Sequence, residues 1–265
     1  MNIALFYLPF LYSCDTRFKT LLKITSWCFI YIVPLFFFVI IYNQDVKALD
    51  IFKFIASIFL VYNLYEVGYI YNDTETIKKE VKPTLRLSKY QMNYYKQNRK
   101  VIYSFRYILG FLLTIVLFRL NSDLWISISP WLIIGIYYIY NNIRNRFNLV
   151  LHFLLVTLRY ALPVIITTSS NILTLVILII FIFPLVNLIE RCGEIRFNLS
   201  FFQTKLFKNH NKFRIFYYLF FSIIFGILLV ISDNKSHEIF TLFVTLAYFL
   251  IYRTVSVLFL KMKGR

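Results

Sequence analysis

Acidic residues are scarce in this chain. Twelve Asp and Glu stand against 29 Lys and Arg, and only 15% of its 265 residues are charged. Soluble domains carry about 25% charged residues, so a surface wetted on all sides is argued against. The three cysteines (Cys14, Cys28, Cys192) form no CxxC pair and the three histidines (His152, His210, His237) are scattered. Neither a disulfide framework nor a zinc site has support. Gly and Pro number six each. Transporters with discontinuous helices show paired Gly or Pro breaks, and Pro34, Pro130, Pro163 and Pro184 are not paired in that way.

What is abundant is apolar. Sixty per cent of the residues are hydrophobic and 20% aromatic, more than a soluble core of this size can bury and what a bilayer accepts. Eight apolar segments approach the ~20 residues of a spanning helix, at about 25–42, 51–71, 101–120, 124–140, 148–168, 172–189, 215–232 and 239–260. The fold class expected is an all-α integral membrane protein, with residues 1–265 as a single transmembrane domain. The apolar start is interrupted by Ser13, Asp15, Arg17 and Lys19, so no cleaved signal is expected and the first helix is read as retained. The net charge of +17 falls mostly between apolar runs. The expectation is therefore topology rather than nucleic acid: Lys and Arg stay cytoplasmic, which places both termini inside. Two basic segments are the longest, 72–100 after the second helix and 190–214 after the sixth. They hold nearly half of the Lys and Arg and suggest two similar four-helix halves.

Those two helix exits also concentrate the acids. If the second helix continues, Asn72, Thr76 and Glu80 share one face at four-residue steps, beside Asp73. The sixth exit carries Glu190 and Glu194 at i and i+4, with Arg191 between them. Five of the 12 acidic residues, Asp73, Glu75, Glu80, Glu190 and Glu194, lie in these clusters. Carboxylates that share a divalent ion, with Lys and Arg around them, suit a diphosphate; the plainer alternative is two solvated helix ends of mixed charge. Inside the spans, Glu66, Arg159 and Arg253 each need a partner or a wet cavity, and Glu66 with Arg159 or Arg253 is the expected pairing.

Asn72-Asp73 closing the second helix, then Glu80 and Pro83-Thr84-x-Arg86, resembles the UbiA superfamily of membrane prenyltransferases. The Pro-Thr-x-Arg tail, Arg144-x-Arg146 ahead of Leu158-Arg159, and Glu190-Arg191-x-Gly193-Glu194 resemble its polyprenyl-phosphate phosphoribosyltransferase branch. Thr76 stands where the family has a second Asp, and Glu80 replaces a third. The resemblance implies a UbiA-like bundle of two four-helix halves in a bacterial inner membrane. It implies a transferase acting on a polyprenyl lipid and a diphosphate donor, with Mg²⁺. By the same resemblance Asn72, Asp73, Glu80, Glu190 and Glu194 are catalytic, and all but Asn72 hold the metal. Lys78, Lys79, Lys82, Arg86, Arg144, Arg146, Arg159 and Arg191 hold phosphate. Prenyl transfer to a small acceptor, a non-catalytic homologue and a small lipid transporter are the alternatives.

Overall fold

A computed structural model describes residues 3–43, 45–79, 84–121, 123–143, 145–168, 171–231 and 237–262, with backbone alone at Lys78, Lys79, Lys205 and Leu206. Every regular element among them is helical. The main helices are α1 (Leu21–Asn43), α2 (Ala48–Thr74), α3 (Lys89–Asn121), α4 (Leu124–Asn142), α5 (Phe147–Thr167), α6 (Ile172–Ile182), α7 (Pro184–Cys192), α8 (His210–Ile231) and α9 (His237–Met262). Seven are long and apolar enough to cross a membrane, or eight if α6 and α7 form one bent span. The chain is a multi-pass helical membrane protein by this measure.

Local chemistry sets the helix starts. Ser88 and Gln91 bond reciprocally, Ser88 N donating to Gln91 Oε1 at 2.8 Å and Gln91 N to Ser88 Oγ at 3.2 Å; this capping box opens α3 at Lys89. Asp123 Oδ1 accepts from Ile126 N at 3.0 Å and starts α4. Asn171 Oδ1 accepts from Leu173 N and Thr174 N and starts α6. Phe183-Pro184 separates α6 from α7 with a 47° bend, because proline at a first helical position donates no N–H and fixes φ.

The segment expected as one long loop, 72–100, is therefore partly helix. The third helix starts at Lys89 and runs 33 residues, about 50 Å at 1.5 Å per residue. The segment 190–214 likewise contains the short helical turns Ile195–Phe197, Ser200–Gln203 and Lys205–Lys208. The expected 172–189 span is broken at Phe183.

The chain divides into two compact units, Met1–Val39 with Asp45–Ser169, and Ile40–Gln44 with Ser170–Arg265. In the first, α2 is the inner helix, with α3, α4 and α5 packed on it; Leu60, Leu64, Ile133, Leu155 and Leu162 fill that core. In the second, α8 packs along α9, and α9 against α6.

Candidate functional site

The first unit gathers its charges along α2. Tyr62, Tyr65 and Tyr69 recur at helical spacing and share a face. The Arg159 guanidinium of α5 lies 4.9 Å from the Tyr65 ring and 5.6 Å from the Tyr160 ring, with Tyr62 and Tyr69 close enough to act on its charge. One turn further, Arg17 lies 4.4 Å over the Tyr69 ring. Ring faces attract cations, so the α2 tyrosines and the arginines of other segments laid against them form a stripe that ends at Asp73.

Asp73 is buried and its carboxylate is crowded with donors. Arg17 Nη1 donates to Oδ2 at 2.8 Å and Nη2 to Oδ1 at 3.1 Å. Arg86 Nη1 donates to Oδ1 at 3.0 Å, Tyr12 OH to Oδ2 at 3.0 Å, and Asn72 Nδ2 to Oδ1 at 3.2 Å. Burial and then the Asp73 charge push the Tyr12 phenol well above its ordinary range, so it remains a donor. Burial disfavours the Arg17 charge, but the Asp73 hydrogen bonds and charge outweigh it and raise its pKa. Two arginines on one carboxylate leave the cluster at +1, and each guanidinium has N–H groups to spare. Such a cluster attracts an anion.

A divalent ion does not fit Asp73 as it stands. A carboxylate offers about four lone-pair sites, and five donors already point at them. Among the described residues no group of three His, Cys, Asp or Glu converges on a common point. Glu75 turns instead to Tyr95 OH, 2.9 Å away, and to Arg99. Thr76 Oγ1 lies 3.1 Å from both the backbone and side-chain oxygens of Asn72, which ties the helix exit together.

Of the residues singled out from sequence, the structure brings Asn72, Asp73 and Arg86 together, and Arg159 of α5 packs against a tyrosine of the α2 helix that carries Asn72 and Asp73. Glu80, Lys82 and Arg144 lie outside the described residues, as do the side chains of Lys78 and Lys79. Arg146 is exposed just ahead of α5. In the second unit, Arg214 Nη2 donates to Glu190 Oε2 at 2.7 Å, while Glu194 meets Arg196 at 2.7 Å and Arg191 at 3.8 Å.

The expected pairing of Glu66 with Arg159 or Arg253 is corrected. Glu66 faces Arg106, with Nη1 3.1 Å from Oε2 and both side chains fully buried; its Oε1 accepts from Ser13 N at 2.7 Å. Arg106 also donates to the backbone oxygens of Phe6 at 2.8 Å, Leu5 at 3.0 Å and Leu8 at 3.2 Å. One guanidinium thus neutralises the intrahelical acid and satisfies carbonyls of the short N-terminal turn Ala4–Phe6 and of Leu8 beyond it. Among the described residues Arg159 has no carboxylate partner. Sequence reasoning missed Arg17, Tyr12 and Arg106. Arg17 looked like a topological charge, and Arg106 sits where the basic flank of α3 runs into its apolar stretch.

No family model, curated protein or solved structure matches this chain.

Proposed function

We propose that the chain is a UbiA-like membrane transferase, with both termini cytoplasmic in a bacterial inner membrane and its helices arranged as two related halves. It takes a polyprenyl lipid and a diphosphate donor, in the first instance phosphoribosyl pyrophosphate with a polyprenyl phosphate acceptor. The observation that carries this reading is the α2 stripe: Arg159 with no carboxylate among the described residues, then Arg17 and Arg86 in surplus on Asp73. That is positive charge held beside apolar helices, which an anionic head on an apolar chain satisfies. Arginine binds phosphate oxygens bidentately, and charge fixed where pyrophosphate departs lowers the barrier for its loss. In this reading Asp73 positions the arginines. No step is routed through a metal, because the Asp73 donors leave it no coordination site. Prenyl transfer from a polyprenyl diphosphate to a small acceptor makes the same demands.

Purified protein in nanodiscs, incubated with polyprenyl phosphate and phosphoribosyl pyrophosphate with and without Mg²⁺, should yield a phosphoribosylated lipid by mass spectrometry. A second arm offers polyprenyl diphosphate with small acceptors. Absence of product and of lipid-phosphate binding in both arms removes the reading. Binding without turnover supports a second one, a non-catalytic homologue, which the saturated Asp73 carboxylate favours. A small lipid transporter remains the third, and vesicle flux tests it.

A further inference from the structure

The α2 stripe leaves unused a groove that α2, α3 and α4 form in the first unit. It encloses about 300 Å³, the lower end of the range for ligand pockets. Its apolar part is walled by Tyr107, Ile134 and Tyr137. Gly68 makes this wall possible: a Cβ there would lie 2.3 Å from Tyr137 Cγ, so glycine alone lets the ring lie against the α2 backbone.

Besides its tyrosines, two polar side chains line the same groove, Asn141 and Arg99. Asn141 is 2% exposed. Its Nδ2 donates to Gly68 O at 3.2 Å, but its Oδ1 is buried with no hydrogen-bond partner among the described residues. A buried acceptor left unmade costs free energy, so this oxygen can take a donor that none of the described residues supplies. Arg99 is half exposed and touches Glu75 at 3.4 Å. The contact is long and its arginine lies open to solvent, so the pair is weak, and Lys96, one turn earlier on α3, lies on the same helix side and leaves a positive surplus. The walls belong to helices apolar enough to span a bilayer, so the ligand with an apolar chain, an anion and a hydroxyl is a lipid.

We propose that this groove binds the headgroup end of one bilayer phospholipid carrying a free hydroxyl, as phosphatidylglycerol does, with its phosphate on Arg99 and its hydroxyl donating to Asn141 Oδ1. The proposal does not depend on the transferase reading, since none of these residues belongs to the α2 stripe.

Nanodiscs of phosphatidylcholine doped with photoactivatable phosphatidylglycerol, phosphatidic acid or phosphatidylcholine test it. Phosphatidylglycerol should label peptides covering 67–71, 103–107 and 137–141 several-fold more than phosphatidic acid, and phosphatidic acid more than phosphatidylcholine. Arg99→Gln should bring both anionic lipids down to the phosphatidylcholine level, and Asn141→Leu should bring phosphatidylglycerol down to phosphatidic acid. If Asn141→Leu fails to fold, the wild-type ranking of phosphatidylglycerol over phosphatidic acid still decides the hydroxyl contact. Equal labelling by all three lipids, or labelling confined to other peptides, overturns the site.

Discussion

The acids of α2 and those at the exit of α7 look alike in sequence and are held in opposite ways. Glu66 and Asp73 are buried and take their arginines from far along the chain: Arg106 from α3, Arg17 from the N-terminal segment, Arg86 from the α2–α3 connection. Glu194 is 41% exposed in its side chain and is served by Arg191 and Arg196, its own neighbours. Glu190 falls between, paired with Arg214 of α8. A buried charge with long-range partners fixes tertiary structure, because removing one partner strands the other away from water. An exposed charge with local partners fixes little. The first pair of acids therefore works as architecture, whatever else it does, while Glu194 is free to serve a ligand.

The comparison predicts its own largest effect at Arg106. Arg106→Leu strands Glu66 and leaves three backbone oxygens of the N-terminal segment without their donor, for a loss of about 3–5 kcal/mol, the scale of broken buried pairs. Glu66→Gln should be milder, since Arg106 keeps its carbonyls. Melting in detergent by size-exclusion fluorescence should rank them in that order; equal melting temperatures would break the architectural reading of α2. Next comes Asp73→Asn. Arg17 and Arg86 are only partly buried, 19% and 30% exposed in their side chains, and water takes up some of their lost partner. The expected cost is about 2–3 kcal/mol, below that of Arg106. If the arginines are the phosphate ligands, phosphate-lipid affinity should survive in whatever folded protein remains.

Thr76 sharpens the same contrast. Read as a lost metal ligand, Thr76→Asp would be tolerated or would raise metal affinity. The structure expects the reverse. Thr76 is buried and its hydroxyl donates to Asn72, whereas a carboxylate only accepts, and the new charge would meet two oxygens and the neighbouring Asp73. A loss of about 1–3 kcal/mol follows, the cost of a buried group left unsatisfied. Thr76→Ser, which keeps the donor, should melt like wild type; an Asp variant that melts higher in Mg²⁺ than without it would restore the metal reading.

These differences mark what the sequence could reveal. The apolar segments were legible because a bilayer demands about 20 such residues at a time, and the observed helices follow them except at 172–189, which breaks at Phe183. The polar opening of α3 was not, since 89–100 has no apolar run; the Ser88-x-x-Gln91 capping box was its only local signal. Asp73 and Arg86 were legible as a pair of charges at a helix exit, but Arg17 was not, because 56 residues separate it from Asp73 and no periodicity spans that gap. Glu66 was legible as needing a partner, but the choice of Arg106 over Arg159 depends on which helix faces α2 at that depth. That is a packing fact: Asn63 of α2 donates to Arg106 O at 2.8 Å, locking α3 in that register.

The smallest expected effect lies at Glu194. Its close contact, to Arg196, is exposed and its contact to Arg191 is long at 3.8 Å, and surface pairs contribute about 0–1 kcal/mol; Arg196 also stacks 4.5 Å over Phe197, which holds it without the carboxylate. Glu194→Gln should therefore leave the melting temperature within about 1 °C, a loss of under ~0.5 kcal/mol. This makes Glu194 the one acid of the four where structure and chemistry can be separated. If the α7 exit handles donor, Glu194→Gln lowers turnover or donor affinity while the fold is untouched. If it is only a solvated helix end, both stay at the wild-type level. A melting loss comparable to that of Asp73→Asn would instead mean that the two exits are built alike, and the contrast between buried long-range and exposed local partners would fail.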